Sequence, residues 1–461
     1  MKEELMELPT EKLSELEQTM QIMDERKKTV EEVNDLLEKT KKGWPCSTID
    51  NAAIIFREDP VLGGKLKYNL FDQRIEMIGD AAWKRTTTSI TDMDDVHIRH
   101  YVETNYRMSN DRKIHDGMQV VASENTYHPI QKYLNSLRWD GTERIRHVLH
   151  HFLGAGEDDH IYEFMKLFLL GAISRVFHPG CKFEYMLCLV GGQGVGKSSF
   201  IRFLASFDKW FCDDIKRLDD ERIYEHLVGH WIIEIAEMLA LNNAKCNEAI
   251  KTFMSRQVDN FRIPYGTRAE DRPRQCAVVG TTNIIHFLPN DRSGNRRFLP
   301  VLCDASSADI HILEDEVAAR EYIEQLWAEA MEIYKGGKFK LRLPKPMEKD
   351  LSKYQAPFMQ EDTWADLIVS FLEEYSGDIV CCQMLYQEAL EMSGMPNRFE
   401  TAQIMEIMSR IPGWRRFHNP RRFARYKRQK GWERATTTPG NHASENVPEQ
   451  GNDDDNPFIK A

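Results

Sequence analysis

Features that would place a protein outside the cell or in a membrane are missing from this sequence. It has no run of about 18 or more apolar residues, so no segment is expected to span a bilayer. Its first residues, Met1 to Leu5, are too charged for a secretory signal. The nine cysteines are odd in number, scattered and without a C-x-x-C pair. We therefore expect reduced thiols in a cytosolic protein, with neither zinc nor a disulfide framework.

An overall excess of positive charge is missing as well. The 61 Lys and Arg residues are outnumbered by 73 Asp and Glu, which gives a formal net charge of −12. This balance excludes a protein coated in basic surface, but not nucleic-acid binding, because a polyanion meets local charge. The 461 residues predict roughly two to four domains and a sizeable core.

A complete phosphate-binding pattern stands near the middle of the chain. It matches G-x-x-x-x-G-K-[ST], follows an apolar run of strand length (185–190) and precedes a helical pattern (199–205), a context that disfavours a chance glycine-rich turn. Such glycines let backbone N–H groups surround a phosphate at a helix N-terminus. We predict that Lys197 reaches the terminal phosphates of ATP and that Ser198 ligates Mg²⁺. The predicted nucleotide-binding residues are Gly191, Gly192, Gln193, Gly194, Val195, Gly196, Lys197, Ser198 and Ser199.

An apolar run that ends in two acids, 231–237, follows the loop after about 35 residues. NTPases need one carboxylate for Mg²⁺ or its waters and one that orients the attacking water. We assign Glu234 to the metal and Glu237 to the water, although these roles can be exchanged. The alternative is an amphipathic edge with two solvated glutamates.

A third buried strand, 276–279, leads to Thr281, Thr282 and Asn283. A polar residue at the end of a strand between the other two can sense the γ-phosphate, and Asn283 fits that position. Arg296 and Arg297 follow shortly after, and either could be an arginine finger that reaches a neighbouring subunit. A surface ion pair or a contact at a helix end is the alternative for each arginine.

Five motifs, in the order in which they occur along the chain, resemble those of the virulence-associated protein E family of phage and prophage ATPases. They run from Trp139-Asp140-Gly141 through the phosphate-binding loop and 231–237 to Thr281-Thr282-Asn283 and 294–298. The family is related in pattern to superfamily 3 helicases of the AAA+ type. The resemblance implies an α/β P-loop core of ASCE type with strand order 5-1-4-3-2, a homo-hexameric ring and a location in a bacterial host cell.

In superfamily 3 helicases, a hairpin between the acidic strand and the sensor strand grips single-stranded DNA in the ring's channel. The matching interval here is polar and basic, and we assign the channel contacts to Arg262, Tyr265 and Arg268. For Arg272 and Arg274, a contact within the chain is an equal alternative.

The C-terminal part supplies a second basic patch with interleaved aromatic residues, between 410 and 434. Two predicted helices, 382–392 and 398–409, precede it, which favours a winged-helix-like module that meets duplex phosphates. The alternative is a solvated basic face. The assigned contacts are Arg415, Arg416, Arg421, Arg422, Arg425, Lys427 and Arg428.

The domains are therefore an amphipathic helical arm (1–45), a small α+β region (46–139), the NTPase core (140–345), the basic module (346–434) and a disordered acidic tail (435–461). The arm can serve oligomerisation or simply pack on its own domain. The tail's Asp453-Asp454-Asp455-Asn456-Pro457-Phe458 resembles the tip of bacterial single-strand-binding proteins, which docks replication enzymes, although an ordinary acidic tail is the alternative.

We expect an ATP-hydrolysing, helicase-like motor that acts on DNA during replication of a phage, prophage or phage-derived island. The alternative is an initiator or interference protein that uses ATP to assemble on DNA without unwinding it. A small-molecule kinase would need an acceptor pocket and lid arginines on the same chain.

Overall fold

The computed structural model describes residues 28–215, 223–224, 227–236, 244–262, 268–289, 295–360 and 363–435. The chain divides into two units, Met1–Gln360 and Glu361–Ala461. The sequence placed the start of the last module after residue 345, but the helix Lys345–Gln355 belongs to the first unit. Gln355 ties this helix to the core by donating hydrogen bonds to the carbonyls of Asn295 (2.8 Å) and Phe298 (2.7 Å).

The N-terminal region is a small α+β assembly with its own hydrophobic core. Its helices are α1 (Val30–Leu36), α2 (Ile49–Glu58), α3 (Asp92–Tyr106), α4 (Asp111–Glu124) and α5 (Pro129–Ser136). Its strands are β1 (Leu66–Asn69), β2 (Arg74–Met77) and β3 (Thr126–Tyr127), in the order β2-β1-β3. Helix α4 lies against α2 at Gly117, where an added Cβ would stand 2.5 Å from the Cβ of Ala52.

The end of the predicted N-terminal arm packs on this region. Val33 of α1 and Leu37 are both buried in the core that α2, α3 and α4 share. For residues 30–37 the structure thus matches the alternative of a helix that packs on its own domain. The earlier part of the predicted arm lies outside the described residues.

Helix α3 begins with an acidic first turn, Asp92 to Asp95. Thr91 is its N-cap, and the Thr91 and Asp94 side chains each accept a hydrogen bond from the other's backbone N–H in a capping box. Asp94 also accepts hydrogen bonds from Trp83 (2.7 Å) and Arg85 (3.0 Å). This acid is therefore structural.

The α/β core is built on one parallel five-stranded sheet. Its helices are α6 (Val148–Leu153), α7 (Asp159–Phe177), α8 (Lys197–Leu204), α9 (Ala244–Ser255), α10 (Glu316–Lys335) and α11 (Lys345–Gln355). Its sheet strands are β4 (Met186–Val190), β5 (Phe211–Cys212), β6 (Ile232–Ile235), β9 (Ala277–Thr282) and β10 (Phe298–Leu302), and β7 (Val258–Phe261) and β8 (Glu270–Pro273) form a separate hairpin. The sheet order is β10-β4-β9-β6-β5. Counted along the chain this is 5-1-4-3-2, the expected order.

The sheet is covered on both faces, which explains why its strands are almost wholly apolar. Side chains alternate between two hydrophobic clusters along each strand. In β4, Leu187 and Leu189 join the cluster that contains α7, α8 and α10, whereas Met186, Cys188 and Val190 join the cluster that contains α9. The sheet thus holds the loop after β4 between two packed layers.

The C-terminal unit has the element order helix, strand, helix, helix and then four short strands. Its helices are α12 (Thr363–Glu374), α13 (Cys382–Met384), which continues as a π-helical turn (Leu385–Ala389), and α14 (Arg398–Arg410). Its strands are β11 (Ile379–Cys381), β12 (Trp414–Arg416), β13 (Arg421–Phe423), β14 (Lys427–Gln429) and β15 (Gly431–Arg434). Strands β11, β15 and β12 form one sheet, and β13 and β14 form a hairpin.

The structure also shows the state of the cysteine thiols and whether its helices could cross a membrane. The eight cysteines whose side chains the structure describes are free thiols. None of the described helices has the length and apolar character that crossing a bilayer requires.

Candidate functional site

The loop between β4 and α8, residues 191–196, is shaped by its glycines, and we call it the glycine loop. Gly194 and Gly196 adopt positive φ angles of 86° and 93°, in the left-handed region that favours glycine. At Gly191 an added Cβ would lie 2.4 Å from the carbonyl oxygen of Cys303. These constraints turn the chain sharply from the carboxyl end of β4 into the first turn of α8.

Lys197 at the start of α8 is buried, with 8% of its surface exposed. Its Nζ donates hydrogen bonds to the carbonyls of Gly191 and Gly192, both at 2.7 Å, and to Oδ1 of Asn283 at 3.0 Å. Burial lowers the pKa of this ammonium group, against the opposing influence of Cys303 and Glu234. The lysine therefore points across the glycine loop to the end of β9.

Glu234 in β6 lies at the centre of the site. Its Oε1 accepts hydrogen bonds from the hydroxyls of Ser198 and Thr281, both at 2.7 Å. The residue is 1% exposed, and its buried Oε2 has no hydrogen-bond partner among the described residues. A buried carboxylate oxygen with no partner is costly. A cation, or water held by a cation, would satisfy it.

The oxygen atoms beside the glycine loop indicate whether Mg²⁺ could bind there. Within the described residues no three His, Cys, Asp or Glu side chains converge to hold a metal. Mg²⁺ keeps several waters and uses one or two protein oxygens with substrate phosphates. The Ser198 hydroxyl and the unpartnered Oε2 of Glu234 beside a phosphate-sized loop match that requirement.

A cleft of about 500 Å³ opens over the glycine loop. Two of its residues, His311 and Leu313, had no sequence signal, because they follow β10 in a loop without a motif. His311 lies close to the loop, since its Nε2 would be 3.2 Å from a Cβ at Gly196. The lining residues are Gln193, Gly194, Val195, Gly196, Lys197, Ser198, Ser199, Ala236, Thr281, Thr282, Asn283, His311 and Leu313.

Arg296 and Arg297 lie at the opposite edge of the sheet. Arg297 immediately precedes β10, and Phe298 pairs with Met186, the first residue of β4, whereas the glycine loop follows the last. The length of β4 separates the two ends by roughly 13 Å. Arg297 is mostly buried, 3.5 Å from Glu184 and 3.1 Å from Ser255, and Arg296 is exposed. Neither arginine reaches the cleft of its own chain.

Two of the predicted DNA-gripping residues, Arg262 and Arg268, lie next to a β-hairpin. Its strands, β7 and β8, pair antiparallel from Val258–Pro273 to Phe261–Glu270. Arg262 follows β7, Arg268 precedes β8, and both arginines are exposed. Arg274 makes an intramolecular contact, the expected alternative, because it is buried against Asp259 at 2.6 Å. Arg272 is also mostly buried and contacts Glu270 at 3.0 Å.

The basic patch of the C-terminal unit is only partly neutralised. Glu433 contacts Arg415 (3.0 Å) and Arg421 (2.6 Å), while Glu388 lies 3.8 Å from Arg425. Arg422 and Arg428 face each other across the β13–β14 hairpin. Both are exposed, and neither pairs with an acid among the described residues. Arg416 and Lys427 are exposed as well.

Some assigned residues fall outside this description. Glu237, Tyr265 and the acidic peptide 453–458 are not among the described residues. The structure brings together Lys197, Ser198, Glu234 and Asn283 at the carboxyl edge of the sheet, and it adds Thr281, His311 and Leu313.

The first unit is thus an α/β protein with a glycine loop at the carboxyl edge of a parallel sheet. Residues 134–360 match the model of the Virulence-associated protein E-like domain. The chain carries a domain of this family, which confirms the resemblance drawn from its motifs.

Solved structures give a more distant likeness. The apo structure of the NrS-1 C terminal region (305-718) is 12% identical, with a TM-score of 0.42, and the match covers 80% of this chain and 96% of that chain. The A form apo structure of the same region is 10% identical, with a TM-score of 0.43 and the same coverage. No curated protein matches the sequence.

Proposed function

We propose that the first unit binds and hydrolyses ATP with Mg²⁺ in the cleft over the glycine loop. The observation that carries this proposal is the contact between Ser198 at the start of α8 and Glu234 in β6, which leaves Oε2 of Glu234 buried and unpartnered. The contact places one hydroxyl and one carboxylate beside a glycine loop at a helix N-terminus. This geometry suits a phosphate–metal pair.

The side chains of the cleft have separate roles in this proposal. Backbone N–H groups of the glycine loop hold the phosphates, and Lys197 turns from the carbonyls of Gly191 and Gly192 to the terminal phosphates. Ser198 and Glu234 would hold Mg²⁺, which neutralises charge on the phosphate oxygens when bound. Asn283, whose Oδ1 lies 3.0 Å from the lysine Nζ, would sense the γ-phosphate. Glu237 orients the attacking water.

The positions of the two arginines support a ring in which neighbours complete each other's sites. Arg297 lies roughly 13 Å along β4 from the glycine loop of its own chain. It therefore serves a site only if another subunit's cleft docks against the amino edge of the sheet. Repetition of such a head-to-tail contact closes a ring, and we propose a homo-hexamer. Arg296, which is far more exposed, is the alternative finger.

We further propose that ATP turnover drives movement on DNA during replication of a phage, prophage or phage-derived island. Membership of the virulence-associated protein E-like family supports the setting. The exposed Arg262 and Arg268, with Tyr265 between them in the sequence, supply charges and a stacking ring for single-stranded DNA. The tail peptide 453–458 would then dock replication proteins.

A DNA-binding initiator without unwinding activity is the second candidate, and the C-terminal unit favours it. Its order of elements supports a winged-helix-like module, in which β13 and β14 would be the wing. Arg422 and Arg428 are like charges directly opposite each other. Such pairs are destabilising unless an anion lies between them. We propose that phosphates of duplex DNA lie between these two arginines. An initiator would need this contact with the duplex but would not separate its strands.

One experiment separates these functions. The rate of ATP hydrolysis is measured with and without single-stranded DNA, together with the native mass and a strand-displacement assay. A motor shows turnover stimulated by single strands and displacement of the annealed strand. An initiator shows duplex binding and assembly without displacement. Absence of ATP hydrolysis under all conditions would refute the proposed enzyme.

A further inference from the structure

A second cleft in the first unit is strongly basic and shares no residue with the cleft over the glycine loop. It has a volume of about 540 Å³ and lies between α7 and the segment that joins α10 to α11. We call it the basic groove. Its lining residues are Tyr162, Glu163, Lys166, Leu167, Leu170, Ile333, Lys338, Phe339, Lys340, Arg342, Leu343, Pro344 and Lys345.

The charges of the basic groove are largely unopposed. Lys166 is paired with Glu163, the one acid among the described lining residues. The other four cations, Lys338, Lys340, Arg342 and Lys345, are exposed, and none has an ion pair with a described residue. In a chain whose formal net charge is −12, four uncompensated cations around one groove create a local positive potential.

In the segment that joins α10 to α11, exposed cations alternate with apolar residues. Lys338, Lys340 and Arg342 are exposed, whereas Phe339 is half-buried and Leu343 is buried. The apolar residues therefore anchor the segment, while successive cations stand on its outer side. Residues 338–344 form neither helix nor strand. The cations are thus distributed at alternate positions along the segment rather than gathered at a single point.

The start of α11 adds to the same potential. This helix of 11 residues begins at Lys345, and its N-cap, Pro344, makes no side-chain hydrogen bond to the first turn. A helix N-terminus carries partial positive charge, and a cation there is unfavourable. Glu348 in the first turn does not line the groove. Lys345 and the helix end both face the groove and both favour an anion in it.

We propose that the basic groove binds the phosphate backbone of single-stranded DNA at a site apart from the hairpin and the C-terminal unit. Cations distributed along a segment suit consecutive phosphates better than one small anion. Phe339, which is half-exposed and lies 5.4 Å from Tyr334 between ring centroids, offers an aromatic ring for an unstacked base. Bases are available for such stacking only in a single strand.

The test measures DNA affinity without nucleotide, so it does not depend on the proposed ATP hydrolysis. The variant combines Lys338→Ala, Lys340→Ala and Arg342→Ala in the full chain. Fluorescence anisotropy with a labelled oligothymidine is recorded at several salt concentrations. Each lost contact lowers the slope of log affinity against log salt by about 0.7 for a single strand. The triple variant is therefore expected to lose about 2 from that slope, while basal ATP turnover is unchanged.

A matched control removes three exposed cations elsewhere, with Lys41→Ala, Lys42→Ala and Arg112→Ala, and is expected to keep the wild-type slope. Phe339→Leu should weaken single-strand binding with the slope unchanged, since it removes stacking and no charge. Equal slopes for the wild type and the groove variant would overturn the proposal. So would an equal loss in the control, or a loss for duplex DNA as large as that for the single strand.

Discussion

The hydroxyl of Ser198 donates a 2.7 Å hydrogen bond to Oε1 of Glu234, which joins the first turn of α8 to β6. The two residues lie 36 positions apart in the sequence. Strand β9 stands between β4 and β6 and contributes Thr281 as a second donor to the same oxygen. The proposed metal site is therefore held by one helix, α8, and two neighbouring strands, β6 and β9, so that it is preorganised before a nucleotide enters.

The first prediction concerns this carboxylate. Glu234→Gln keeps the shape of the side chain and an oxygen that can accept from Ser198 and Thr281, but it removes the charge. We expect the Mg²⁺ concentration for half-maximal ATP turnover to rise on the order of 10- to 100-fold. The control is Glu124→Gln, an exposed acid in the N-terminal region. An unchanged Mg²⁺ requirement would remove Glu234 from the metal site.

The second prediction tests the shared site. Lys197→Ala and Arg297→Ala proteins should each be inactive, because one lacks the loop lysine and the other lacks the finger. In a mixture of equal amounts, roughly a quarter of the interfaces should be active, because each active interface needs an intact Lys197 from one subunit and an intact Arg297 from its neighbour. The mixture is assayed for phosphate release after its native mass shows co-assembly. No recovery in co-assembled rings would contradict a finger supplied in trans, and Arg296→Ala in the same assay identifies which arginine acts.

The third prediction concerns the wing. Arg422→Ala with Arg428→Ala should lower the slope of log affinity against log salt by about 1.8 for duplex DNA, because two phosphate contacts are lost. The melting temperature should not fall, since the change removes a like-charge pair. Lys41→Ala with Lys42→Ala serves as the charge-matched control. If the double variant binds duplex with the wild-type slope, the patch is a solvated face.

The fourth prediction is a pH dependence of stability. Burial alone would raise the pKa of Asp94, but hydrogen bonds from Trp83, Thr91 and Arg85 lower it from 3.8 to about 2. A carboxyl group whose pKa is lower in the folded protein than in the unfolded chain stabilises the fold at pH values above its unfolded pKa. This stabilisation is lost as the pH falls towards the folded pKa. Asp94→Asn should thus cost about 2 kcal/mol in the free energy of unfolding at neutral pH.

Urea unfolding at pH 7, 5 and 3 measures this difference, which should shrink as pH falls below about 4. Asp92→Asn is the control, because Asp92 is exposed in the same turn of α3. A cost for Asp94→Asn that stays constant across these pH values would show that the ionised carboxylate contributes nothing specific.

Much of the core could be predicted because its signals are local. The buried strands, the glycine loop and the polar residue after β9 each occupy a short stretch, and the strand order follows from the family they resemble. The partner Thr281 is a different case. It reaches Glu234 only through the register of β6 with β9, in which Glu234 pairs with Val279. Side chains two residues apart on a strand share a face, but the sequence does not give that register.

The other features that the sequence did not predict also arise from contacts between residues that are far apart in the sequence. His311 joins the cleft from a loop after β10 that carries no motif. Glu388 opposes Arg425 of the basic patch from an element that precedes the patch. The helix Lys345–Gln355 belongs to the first unit because Gln355 reaches two core carbonyls. Composition and spacing show none of these contacts.

The central claim is that the cleft at Lys197 hydrolyses ATP. The most direct measurement is the steady-state release of phosphate from ATP and Mg²⁺ by the purified wild type and by Lys197→Ala, compared at equal folded concentration. Lys197 is buried, so circular dichroism and thermal unfolding of the variant accompany the assay. We expect turnover by the wild type and none above background by a folded Lys197→Ala protein. Equal turnover by the two proteins would contradict it.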